Sequence, residues 1–282
     1  MNEMLVLGIE IALTLVLIWL GKWLQDVLTT FDDDHELFSN DNPSLGVAKA
    51  GYYLAIAVAL KSLFMGEGSG GLEEIRNFFI YGCLTLLLLN ISTYITDRFI
   101  MSHLTLYDEI CKERNDGVSW SLLGCYLGAA FILQGAMSGD DVGLLQSCIE
   151  VILYFTLGQA MLLLANFFFC KLYPQHRKAI DSGNAAAGIS FGGFMTATGL
   201  CIGTMSKGNL HLNVSDVSYF LITSISATVV LIALRHFLFN HLFAGNTSLS
   251  REIYEDRNSA AGWIVALGSI GVAQLFAPLL IA

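Results

Sequence analysis

Long apolar runs alternate with short polar segments along the whole chain. Eight runs are long enough to cross a hydrocarbon core of roughly 30 Å, which takes about 20 helical residues. They cover residues 4–28, 43–65, 75–101, 118–138, 142–172, 185–205, 214–243 and 259–281. The first lacks a basic leading segment and a small-residue cleavage site, so it reads as a membrane helix rather than a signal peptide. The connections alternate in kind. Those at 66–74, 139–141 and 206–213 are short, whereas the other four are longer and charged.

Each long connection ends in the same element: an Asn, three residues, then Gly or Ser, opening the next apolar run. The copies are Asn42 with Gly46, Asn115 with Ser119, Asn184 with Gly188 and Asn258 with Gly262, spaced 73, 69 and 74 residues apart. An apolar residue stands five positions before each Asn (Leu37, Ile110, Ala179, Ile253). A fixed period of this kind marks a repeat architecture. The expected fold is an all-α polytopic membrane protein with eight transmembrane helices in four helical hairpins. These group as two four-helix halves, 1–142 and 143–282. Each repeat crosses twice, so all copies keep one orientation; the repetition is parallel, not inverted.

Asn is a strong N-cap because its side-chain oxygen accepts from free first-turn N–H groups. Pro43 fits the first helical position, where no donor is lost. The small residue one turn deeper, with Gly51, Gly124, Gly128, Gly192, Gly193, Gly199, Gly203, Gly268 and Gly271, reads as a close-packing stripe. The alternative is a vestibule in which four helix N-termini attract an anion or acidic partner.

Composition agrees with the membrane class: 55% of residues are hydrophobic and 13% charged. A net charge of −10 argues against nucleic acid. Six cysteines without a Cys-x-x-Cys pair read as buried hydrophobes, not metal ligands. Ten Lys and Arg side chains lie in or beside the long connections against three toward the other side. That asymmetry puts the long connections in the cytoplasm and both termini outside, in the periplasm.

Charges within membrane helices are functional candidates by default. They are Glu10, Lys49, Asp97, Arg98 and Glu150. Lys49 is expected to neutralise Asp26 or Asp97, and Glu10 and Glu150 to reach the external interface. Arg235, His236 and His241 read as a cationic helix end near an anionic leaflet. His236 and His241 are spaced wrongly for one metal. Asp140-Asp141 sits in a turn, which argues against an intramembrane aspartyl protease, and Asn246-Thr247-Ser248 matches a glycosylation pattern on the cytoplasmic side. No catalytic motif, metal site or cofactor site emerges. The chain is expected to be a non-enzymatic subunit that anchors or organises cytoplasmic partners; the alternative is a channel or transporter with its path at the repeat interface.

The Asn-x-x-x-small element, as in 41–46 (Asp-Asn-Pro-Ser-Leu-Gly) and 257–262 (Arg-Asn-Ser-Ala-Ala-Gly), and the hairpin period resemble the bacterial inner-membrane family catalogued as domain of unknown function 350, the YjfL-like proteins. The resemblance covers nearly the whole chain, with four copies where shorter members hold two. It implies an inner-membrane protein of an envelope-associated, stress-type system. Membrane-coat or ligase-type proteins at the long connections would be its partners, besides the lipid bilayer. It offers no catalytic residues, and it leaves homo-oligomers open.

Overall fold

A computed structural model describes residues 3–29, 32–64, 71–139, 142–207, 210–242 and 248–280. The described residues are helical, with no strand among them. In chain order the helices are α1 (Glu3–Leu28), α2 (Asp33–Phe38), α3 (Pro43–Leu60), α4 (Leu72–Ile95), α5 (Asp116–Ala136), α6 (Leu144–Leu172), α7 (His176–Asp181), α8 (Ala185–Met205), α9 (Val214–Phe237), α10 (Leu249–Tyr254) and α11 (Ser259–Phe276). Eight of them, some extended by a tight or wide final turn, are long and apolar enough to span a membrane. The Asp140-Asp141 turn, Asn246 and Thr247 lie outside the described residues.

The spans form two rows. The helices that open with the Asn motif, α3, α5, α8 and α11, touch in chain order and make the first row. The longer helices α1, α4, α6 and α9 make the second. Each longer helix after α1 lies against two motif helices: α4 on α3 and α5, α6 on α5 and α8, α9 on α8 and α11.

Glycine sets the spacing of the motif row. Gly117 and Gly128, Gly124 and Gly135, Gly188 and Gly199, and Gly192 and Gly203 are all pairs eleven apart. Eleven residues are almost three whole turns, so each pair returns to one helix face. A Cβ on Gly192 would collide with the Trp120 carbonyl, and one on Gly199 with the Gly128 backbone. Contact between α5 and α8 is thus backbone on backbone along their length, the close approach that favours helix association in lipid. Gly193 meets Ala266 of α11 in the same way, and a Cβ on Gly51 would stand 2.7 Å from Leu123 Cα. Trp120 and Trp263, five residues after their motif Asn, stack edge to face at 5.0 Å and join α5 to α11 across α8. As a result α8 is buried on nearly all sides.

The long connections, legible in the sequence only as charged stretches, carry short helical segments. They hold α2, a wide turn at Asp108–Lys112, α7 and α10. Segments of five or six residues are too short to show a helical period, and Ile110, Ile180 and Ile253 anchor three of them by burial.

Candidate functional site

The four motif asparagines share one geometry. Each has φ between −84° and −74° and ψ of 99° to 102°. Asn42, Asn115 and Asn184 accept from the N–H three residues on (Leu45, Val118, Ala187) at 3.0 to 3.1 Å. Asn258 accepts from Ala260 and Ala261. The residue before each Asn is left-handed: Asp41 at 47°, Arg114 at 51°, Gly183 at 74° and Arg257 at 52°. That conformation ends the short preceding segment and turns the chain into the next span. The strain at three non-glycine positions is held by the contacts around them. Arg114 donates to Asn40 O at 2.6 Å, and Arg257 to Ser182 O and Oγ.

In the first three copies the other half of the side-chain amide reaches forward to the following repeat. Asn42 Nδ2 donates to Ile110 O at 2.9 Å, Asn115 to Ile180 O at 2.9 Å and Asn184 to Ile253 O at 2.8 Å. One residue therefore caps its own helix and ties the next copy's short segment. The amides are committed to neighbouring carbonyls instead of facing a common vestibule. Asn258, in the last copy, donates to Glu252 instead. Of the small residues one turn deeper, Gly188 lies on the Gly117 backbone and Gly262 on Ala186. Gly46 has only Leu37 nearby, at 3.9 Å, and Ser119 returns its hydroxyl to Asn115 O.

This asymmetry yields a prediction. Serine keeps the capping oxygen but has no amide for the forward bond, and a buried carbonyl left unpaired costs about 1–3 kcal/mol. Asn184→Ser should therefore cost that much, while Asn258→Ser should stay within about 0.5 kcal/mol. Denaturation in detergent compares the two. Equal losses would count against the tie between repeats.

The intramembrane charges do not converge. Glu10 and Glu150 are buried near the helix ends away from the caps. Glu150 accepts from Gln146 at 3.1 Å and lies 3.5 Å from His211 Nδ1. Asp97 and Arg98 are exposed on the wide turn Thr96–Ile100 that follows α4. Lys49 pairs with neither expected partner: Asp26 is held by Lys22 at 2.7 Å, and Lys49 meets Asp33 of α2, with Gln25 Oε1 at 2.9 Å. The pairing arises because α2 packs on α3 and carries Asp33 to the ammonium.

Contrary to what its place in the sequence predicts, Arg235 does not join His236 and His241 in a cationic helix end. His236 and His241 are exposed, but Arg235 is only 5% exposed. Its guanidinium donates to Tyr173 Oη at 2.8 Å and Ser190 Oγ at 2.9 Å, and lies 5.1 to 5.8 Å from the ring centres of Phe169, Tyr173 and Phe194. Beside it His176 packs on Phe191 and Phe169. Burial, then the Arg235, Arg177 and His103 charges, push that imidazole down to about 3 and keep it neutral. Nothing in the spacing of Arg235 or His176 signals this cluster.

The family model described as Domain of Unknown Function (DUF350) matches the chain twice, over residues 1–137 and 143–280. A UPF0719 transmembrane protein of Aquifex aeolicus (strain VF5) is 25% identical to it over 257 residues, or 88% of this chain and 91% of the relative. No solved structure matches. With eight spanning helices and two tandem matches over nearly its whole length, this multi-pass membrane protein belongs to the DUF350 family.

Proposed function

We propose that this protein is a non-enzymatic scaffold of the bacterial inner membrane that anchors or organises cytoplasmic partners of an envelope-associated system. In this reading both termini lie outside and the capped face lies in the cytoplasm, as the ten-to-three distribution of Lys and Arg favours. One observation carries the reading: the forward asparagine bonds tie four repeats into a single continuous rim. Backbone-close packing below the rim stiffens it. Its exposed side chains are of both signs, among them Asp34, Lys112, Lys178 and Glu255, with Phe38 as an exposed aromatic. Such a surface suits a soluble protein partner, and membrane-coat or ligase-type proteins are the class the family context suggests. A channel would need Glu10, Lys49, Asp97, Arg98 and Glu150 on one path. Their separate positions, at opposite ends and on the surface, favour the scaffold.

Photocrosslinkers placed in cells at Lys178 and Glu255 are expected to trap soluble cytoplasmic proteins, while one at Lys207 traps none. Reporter fusions after Ser39, Lys112, Gln175 and Ser250 should report cytoplasm, and those after Gly139 and Lys207 the exterior. Long connections found on opposite sides, or soluble partners trapped only from Lys207, would overturn the reading.

A further inference from the structure

Between α6 and α9 the second row stands open. A cavity of about 720 Å³ lies there, with Phe194 of α8 among its lining residues. Its walls run from Met161 to Leu172 on one side and from Ile225 to His236 on the other, each roughly 17 Å of helix at 1.5 Å per residue. Phe168, Leu172, Ile225 and Val229 are exposed along it, so it opens sideways, where lipid would stand. At the capped end the lining changes to Lys171, Arg235 and His236, and among the described residues no Asp or Glu lines any part of it.

Arg235 is the unusual member. A cation at a helix C-terminus is favoured by the helix dipole, and a long side chain there normally extends toward water. Arg235 turns inward instead. Its partners are two neutral hydroxyls and three ring faces, and its Nε–H is buried with no acceptor. Among the described residues no carboxylate pairs with it. A buried cation without a carboxylate is costly and calls for an anion.

We propose that this cavity binds an anionic phospholipid, with an acyl chain along the apolar walls and the phosphate at the Arg235 end. A planar guanidinium with an unpaired N–H suits phosphate oxygens, and Lys171, whose ammonium stands 4.6 Å from the Phe167 ring centre, lines the same cavity. A zwitterionic headgroup would bring its ammonium toward Lys171 and Arg235 with no carboxylate to receive it. The site therefore selects for net negative charge, as basic pockets between membrane helices do. The inference goes beyond the scaffold reading and stands whichever side the capped face occupies.

The test uses the full chain purified in mild detergent and titrated with phosphatidylglycerol, with phosphatidylcholine of the same acyl chains, and with inorganic phosphate. Melting temperature and native mass spectrometry are the readouts. Phosphatidylglycerol should raise the melting temperature and leave one retained lipid per chain; the other two should do neither. Arg235→Gln should weaken retention at least tenfold. Because that change also disturbs a buried cluster, Val229→Trp supplies a second arm. It fills the cavity from an exposed position, leaves Arg235 in place, and should block retention while the lipid-free melting temperature stays near that of the unaltered protein. Equal retention of the two lipids, retention unchanged by Val229→Trp, or a shift reproduced by phosphate alone would each overturn the proposal.

Discussion

Gly192→Leu is expected to destabilise the protein by more than about 3 kcal/mol, beyond the usual cost of overpacking, because the obstruction is backbone. At Gly192 even a Cβ would overlap the Trp120 carbonyl, which as backbone cannot swing aside like a side-chain tip. Relief requires α5 and α8 to separate. That would loosen the other glycine contacts along the pair, and the Asn115 and Asn184 ties at its head would be strained with them. The control is Gly271→Leu on α11, where nothing lies within 4 Å of the added Cβ. That change should stay within about 0.5 kcal/mol, apart from helix propensity, which favours leucine. Thermal melts of both variants in one detergent make the comparison. Similar melting temperatures for the two would refute a backbone-close motif row.

Lys49→Met should cost about 3–5 kcal/mol at neutral pH, since it strips a buried carboxylate of its cation. The side chains of Lys49 and Asp33 are 8% and 5% exposed, and Asp33 Oδ1 already has no partner. Adding Asp33→Asn should recover much of the loss, because a neutral amide has no charge to desolvate; adding Asp26→Asn should recover less, since it removes only a neighbouring repulsive charge and leaves the Asp33 carboxylate buried. The pH dependence has a definite sign. Burial pushes the Asp33 carboxyl up even with Lys49 beside it. Without that cation the folded state favours the protonated acid still more, and so binds more protons than the unfolded state. The defect should therefore shrink as pH falls through the folded-state pKa toward the ordinary carboxylate range, and return as pH rises. A double variant no more stable than Lys49→Met alone would show that the pair does not hold α2 beneath α3.

Both predictions mark where the sequence was readable and where it was not. Asn42 followed by Pro43 is a local signal, since a cap and its first turn lie within four residues. The glycines eleven apart also announce a close-packed face without naming the helix it meets. By contrast, Asp33 lies among Asp32, Asp34 and Glu36 and nothing local singles it out. Its burial depends on α2 folding back, a segment too short to carry a period. Arg235 likewise reads as one of a group of cationic residues at a helix end until α6 and α8 are placed around it.

Apolar run length, motif period and capping chemistry are properties of neighbours along the chain, so the eight spans, the fourfold repeat and membership of the membrane class follow from the residues alone. Partner choice over long separations is another matter. Asn184 can cap a helix in any arrangement, but its second hydrogen bond goes to Ile253 only because α8 lies beside α11 with both N-termini level. Lys49 finds Asp33 instead of Asp26, and Arg235 ends beside a cavity lined by no carboxylate among the described residues, for the same reason. In lipid, apolar faces gain little by choosing one another, and the choice falls to shape and to the few polar groups that must be satisfied. Those are fixed only when the two rows of helices come together.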